Sequence, residues 1–419
     1  MKLHRFLVTF IVFSLFASSV VFGQKPADST PKRVAPSEFV IFPWGGMPGD
    51  PSTGQWGDLA DMDAMMKDLY DCGFNVSGFT GPQNLKHARN NHLAGILTGV
   101  RFNPARETAQ EEADKTVQNF LEGVTDPEDR QAIFAIYLRD EPNAGLFPQL
   151  NVWSEAVKKQ GVMPYINLFP DYASPGQLGS KDYQEHLDKY VEICNPPYIS
   201  YDNYALFEGG TMDEDKFYGN MDSIRKKSLS AGIPFWNVIL ANAHFHYAEP
   251  SDATFAIQVY STLAYGGKGI GYFTYYTPQI GNYRLAPIDR FGFRTKTWGY
   301  MRDINLQIHS LVPVYGKLKS VNVFHTGKIP RNAQGIESAK FIESVGDSLL
   351  VGEFVDPDGK PYAMIVNKNI KSSVPLSVAF KGGGQMMMVS PANRGIVPFD
   401  GEQNWLAPGC GVLLTIKDK

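Results

Sequence analysis

Short apolar runs alternate along most of this chain with longer stretches whose apolar residues recur at helical spacing. The short runs lie at 39–42, 74–79, 94–98, 133–138, 163–168, 198–201, 235–240 and 269–273. They are nearly continuous in apolar character, the form taken by strands covered on both faces of a parallel sheet. Between them, 58–71 sets Leu59, Met62, Met65, Met66 and Leu69 on one face, away from Asp58, Asp61, Asp68 and Asp71. Cys72-Gly73 then ends that helix, with glycine where a left-handed residue is favoured. The spacing predicts further helices over 111–123, 146–160, 252–265 and 294–310. Eight strands interleaved with helices predict an α/β fold, a (β/α)8 barrel over 37–315. From 316 to 419 the rhythm changes to short alternating runs at 348–354, 362–367, 374–380, 386–390 and 411–416. Turns such as Asp356-Pro-Asp-Gly359 separate them, which predicts a small antiparallel β-sandwich.

The first residues read differently. Lys2 and Arg5 precede an apolar run and then the small-residue stretch Val21-Phe22-Gly23, the form of a secretory signal peptide over 1–23. No cysteine stands at the cleavage point to take a lipid anchor, so a secreted or periplasmic protein is expected. Residues 24–36 are polar and proline-rich and read as a flexible leader. That N-terminal apolar run is too short for an ordinary membrane span, and no second run of spanning length follows. The formal charge is −4, about −6 once Lys2 and Arg5 are removed, and no basic block stands out. That composition argues against a nucleic-acid partner. Cys72, Cys194 and Cys410 are odd in number and far apart, so they read as core residues rather than a disulfide framework.

In such a barrel the residues that follow each strand share one pocket. Strand one supplies Trp44, and strand four ends in Asp140 and Glu141. Strand five gives Asn167, strand six Asp202 and Tyr204, with Glu208 further out. Strand seven gives Trp236 and, in its loop, His244 and Glu249; strand eight gives Tyr275. Rings, amides and carboxylates predominate. No cofactor is implied, because no glycine-rich phosphate loop follows a strand and no metal-ligand spacing is present. The mixture suits a neutral carbohydrate, whose rings stack on aromatic faces while amides and carboxylates hold its hydroxyls. Two carboxylates can also break a glycosidic bond.

The run Asp140-Glu141-Pro142 resembles the Asn-Glu-Pro that ends strand four of clan A glycoside hydrolases. Segments YINLFP (165–170), ISYDNY (199–204), PFW (234–236) and QVYSTLAYGGKGIGYFTY, which begins at Gln258, are loosely similar to family 42 β-galactosidases and related secreted bacterial barrels. The resemblance covers 39 to about 310. It implies a glycosidase of poly- or oligosaccharide with Glu141 as general acid/base and retention at the anomeric carbon. One departure stands out: the clan's nucleophilic glutamate ends strand seven, where this chain reads FWNVILAN with no carboxylate. The partner of Glu141 then comes from Asp202, first by its place at a strand tip, or from Glu249 or Glu208, or is lacking. Trp44, Asp140, Asn167, Tyr204, Glu208, Trp236, His244, Glu249 and Tyr275 are the expected sugar contacts. Each has a plainer reading as a packed or solvated residue, and Asp202 as a bond to a neighbouring loop. A glycan-binding barrel without hydrolysis is the alternative, and a polysaccharide lyase using Arg101, Arg139 or His244 a third.

Overall fold

The computed structural model describes residues 32–47, 61–100, 102–103, 106–399 and 404–417. The expected signal peptide, most of the leader and Arg101 lie outside the described residues. Eight strands form one parallel sheet: Val40–Pro43 (β1), Val76–Thr80 (β2), Ala94–Leu97 (β3), Ile133–Asp140 (β4), Met163–Leu168 (β5), Ile199–Asp202 (β6), Phe235–Leu240 (β7) and Gly269–Phe273 (β8). From β2 to β8 each pairs with its sequence neighbour, and β8 returns to β1. Between β1 and β2 the ring closes through a parallel bridge of Gly46 with Phe79 and through Asn75 Oδ1, which accepts from Ile41 N at 2.8 Å. Gly78 makes this closure possible. Its φ is +77°, and a Cβ there would meet the Pro43 carbonyl at 2.4 Å.

The apolar strands are covered on both sides. Phe42, Val76, Ile96, Ala135, Tyr165, Tyr198, Trp236 and Val238 fill the barrel. Helices Met62–Asp71, Gln110–Glu122, Phe147–Lys159, Asp252–Ala264 and Lys296–Tyr315 stand where the spacing predicts them. Tyr183–Cys194 and Glu214–Ala231 are additional helices, the second so polar that its inward stripe does not stand out by pattern. Order also begins inside the expected leader. Val34 is buried, its N–H donates to His309 Nδ1, and its carbonyl accepts from Asn75. Among the described residues, no helix is long and apolar enough to cross a membrane.

Beyond the barrel, six strands form an antiparallel sheet in the order β9-β10-β11-β14-β12-β13: Lys319–His325 (β9), Leu349–Val355 (β10), Pro361–Asn367 (β11), Met386–Val389 (β12), Ile396–Pro398 (β13) and Gly411–Ile416 (β14). Alternation sorts its faces. Leu350, Phe354, Met364 and Leu413 join the barrel's core, while Leu349, Val351, Ile365 and Leu414 form a second core under two short ribbons. Glu353 holds one ribbon in place. Its buried carboxylate accepts from Asn322 Nδ2 and from the N–H groups of Lys340, Phe341 and Ile342, at 2.6–3.1 Å.

Candidate functional site

The C-terminal ends of β4, β5 and β6 carry Asp140, Asn167 and Asp202 in adjoining positions. Register pairs Asp140 with Asn167, and the next N–H, that of Glu141, bonds Asn167 O at 2.8 Å. Glu141 then leaves the strand with φ +43°, a left-handed turn at a non-glycine residue. Asn167 ties the carboxylates together. Its Nδ2 donates to Asp202 Oδ1 at 2.8 Å and, at 3.3 Å, to Asp140 Oδ1. Ser200 Oγ donates to Asn167 Oδ1 at 2.8 Å, which fixes the amide with its nitrogen toward the acids.

All four groups line one cavity of about 310 Å³, together with Trp44, Phe169, Tyr172, Tyr204, His244, Tyr247, Phe273 and Tyr283. Its walls are aromatic. Trp44 lies between Phe79 and Phe273, with centroids at 5.2 and 5.5 Å, and Tyr204 stacks on Phe273 at 5.7 Å. Tyr283 stacks on His244 at 4.9 Å.

Three acids buried this deeply hold their protons tightly. Burial pushes Glu141 up to about 7, and the neighbouring Asp140 charge adds to the rise. Burial raises Asp140 to about 6, against the Asn167 hydrogen bond and the Arg139 charge. Asp202, more deeply buried, is pushed well above the usual carboxylate range by desolvation and then by Glu141 and Asp140. Near neutral pH such a set contains both a proton donor and a carboxylate, the pairing that general acid chemistry needs. Burial also lowers His244, so its imidazole is neutral at pH 7.

Of the residues expected from the sequence, the cavity brings together Trp44, Asp140, Glu141, Asn167, Asp202, Tyr204 and His244. It sets four others elsewhere. Trp236 is the second residue of β7, far from its C-terminal end, and lies inside the barrel stacked on Tyr198 at 3.7 Å. Tyr275 follows the end of β8 but turns toward the helix Met62–Asp71, where its hydroxyl meets Asp68 and accepts from Trp298 Nε1. Glu208 and Glu249 are exposed and both pair with Arg284, at 3.0 and 3.4 Å. Of the three acids expected as partners for Glu141, Asp202 lines the cavity and Glu208 and Glu249 do not. Tyr172, Tyr247 and Tyr283 went unread. Tyr283 stands ten residues beyond β8, where strand-end reasoning has no reach.

No family model matches the chain, and no curated protein does. Among solved structures it is similar to a family 39 glycoside hydrolase from the gut symbiont Bacteroides cellulosilyticus WH2, with TM-score 0.52, 12% identity, and 93% of this chain and 83% of that one covered. It is also similar to the gamma-CGTase of alkalophilic Bacillus clarkii, with TM-score 0.50, 12% identity, and coverage of 92% and 71%. Family 42 in particular is not shown by these likenesses. At such identity they establish the architecture: a (β/α)8 barrel followed by a C-terminal β-sandwich.

Proposed function

We propose that this chain is an exported glycoside hydrolase acting on a neutral poly- or oligosaccharide, with Glu141 as general acid/base and Asp202 as its partner. The observation that carries the reading is the meeting of Asp140, Glu141 and Asp202 in one aromatic-walled cavity, with Glu141 pushed up to about 7. A carboxyl group protonated near neutrality can hand its proton to the glycosidic oxygen as the C–O bond breaks. In the fraction of molecules that hold Asp202 as its carboxylate, that group attacks the anomeric carbon or steadies its positive charge. Water then adds there, breaking any bond formed to Asp202 and releasing its carboxylate, and gives a proton to the Glu141 carboxylate. Burial, and after it the Asp140 charge, keep Glu141 protonated, and Asn167 bridges the two aspartates. The aromatic rings accept the apolar faces of the sugar. The export signal over 1–23 and retention of configuration belong to the same proposal, the latter through the clan A resemblance.

A second reading has its own observation. β7 carries no carboxylate, and Asp202 must lose a proton that its burial retains, which favours a barrel that binds glycan without cutting it. Release of reducing sugar from a broad glycan panel separates the two. The expected outcome is release by wild type and loss of at least about 100-fold in a folded Glu141→Gln variant. Binding without release by both proteins would establish the second reading instead.

A further inference from the structure

On the β7 side of the cavity the hydrogen bonds run in only one direction. Thr274 Oγ1 donates its single proton to Tyr276 O at 2.6 Å. It therefore receives Asn242 Nδ2, at 2.9 Å, as an acceptor. Turning the Asn242 amide over would set its oxygen against a hydroxyl whose proton is already committed. Asn242 Oδ1 consequently faces His244 Nδ1, at 2.9 Å, and this ring nitrogen carries the proton. In the neutral imidazole the other nitrogen is then a lone pair. Among the described residues the hydrogen bonding of this ring is through Nδ1, and the ring lines the cavity. Tyr283 lies parallel to one side of the ring, and Tyr204 and Phe273 also pack against it, so the ring cannot turn freely to exchange its nitrogens.

We propose that His244 is a specificity-determining residue whose Nε2 accepts a hydrogen bond from one hydroxyl of the bound sugar, with Asn242 and Thr274 as positioning residues that keep it in the acceptor form. The inference rests on the glycan reading and deepens it. A site built to accept one hydroxyl discriminates against a sugar lacking it, because the buried acceptor is then left unpaired. Removal of that hydroxyl should weaken binding by about 10- to 100-fold, the worth of one buried neutral hydrogen bond.

The test begins without a ligand. In the full-length protein labelled with 15N-histidine, a long-range 1H–15N spectrum at pH 7.5 should show His244 protonated at Nδ1 and bare at Nε2, with assignment by loss of the signals in His244→Phe. Thr274→Val, which frees the Asn242 amide to turn, should shift the ring toward the opposite tautomer. A proton on Nε2 in wild type overturns the proposal. Cello-, xylo-, manno- and laminarihexaose are then added in turn. The Nε2 resonance should move with whichever binds, and one monodeoxy derivative of that sugar should bind about 10- to 100-fold more weakly to wild type but not to His244→Phe. Binding that leaves Nε2 unmoved overturns the role of His244 alone. If no hexaose binds while the tautomer is as described, the glycan reading fails and this inference with it.

Discussion

Replacing Asp140 by asparagine should stabilise the fold at alkaline pH. In the folded protein Asp140 titrates at about 6, against 3.8 for an unperturbed aspartate, and burial is the chief cause. A carboxyl group whose pKa is raised on folding contributes stability below its unfolded pKa and loses it as the pH climbs through the folded one. The relevant window therefore runs from about pH 4 to pH 7. A two-unit difference corresponds to ~3 kcal/mol in full, of which about 2 kcal/mol falls between pH 4 and pH 8. Asparagine cannot ionise, and its Oδ1 can still accept from Asn167 Nδ2, now 3.3 Å from Asp140. Removing the charge also relieves Glu141 and Asp202, both of which it pushes upward. The variant should match wild type at pH 4 and exceed it by about 1–2 kcal/mol at pH 8. Urea unfolding followed by tryptophan fluorescence at pH 4, 6 and 8 measures this directly. Equal midpoints at pH 8, or a wild type that gains on the variant as pH rises, would refute the reasoning. The same substitution should lower the pKa of Glu141, which burial still holds raised, so a gain in stability would come with fewer molecules carrying the Glu141 proton at neutral pH.

Two further substitutions probe the sandwich. Glu353→Gln turns an amide NH2 toward N–H groups that had a carboxylate to bond and should cost about 3 kcal/mol in chemical unfolding. Gly352→Ala places a Cβ 1.9 Å from the Ala264 carbonyl, so it should cost about 3 kcal/mol in thermal unfolding and admit protease between residues 315 and 319.

The barrel was legible because its strands are buried on both faces and so appear as short apolar runs; all eight lie within two residues of their expected limits at either end. Strands at the sandwich edge were less so. Ile396–Pro398 and Trp405–Leu406 are too short to alternate visibly, and Lys319–His325 mixes polar and apolar residues on both faces. The acids at the ends of β4 and β6 were legible for a related reason: a carboxylate after a buried strand has few places to go but the mouth of the barrel. Trp236 misled because strand membership does not tell which layer of the barrel a side chain fills. Glu208 and Glu249 are drawn aside by Arg284, a residue 35 positions or more away in the chain, and long-range pairing of that kind leaves no local pattern. The orientation of His244 depends on Thr274, 30 residues on, and is equally invisible in sequence.

The helix between β7 and β8 is buried on every side, each residue from Phe255 to Ala264 included. It can be so because β10 and β11 of the sandwich cover the flank that a free-standing barrel would leave to water. During synthesis this helix emerges before the strands that shelter it, β14 among the last of them. Until some 150 more residues have left the ribosome, the nascent barrel carries a greasy outer stave that must be shielded by other means. Completion of the fold is thereby tied to arrival of its C-terminal strands, and a chain cut short of them should be open to proteases and chaperones.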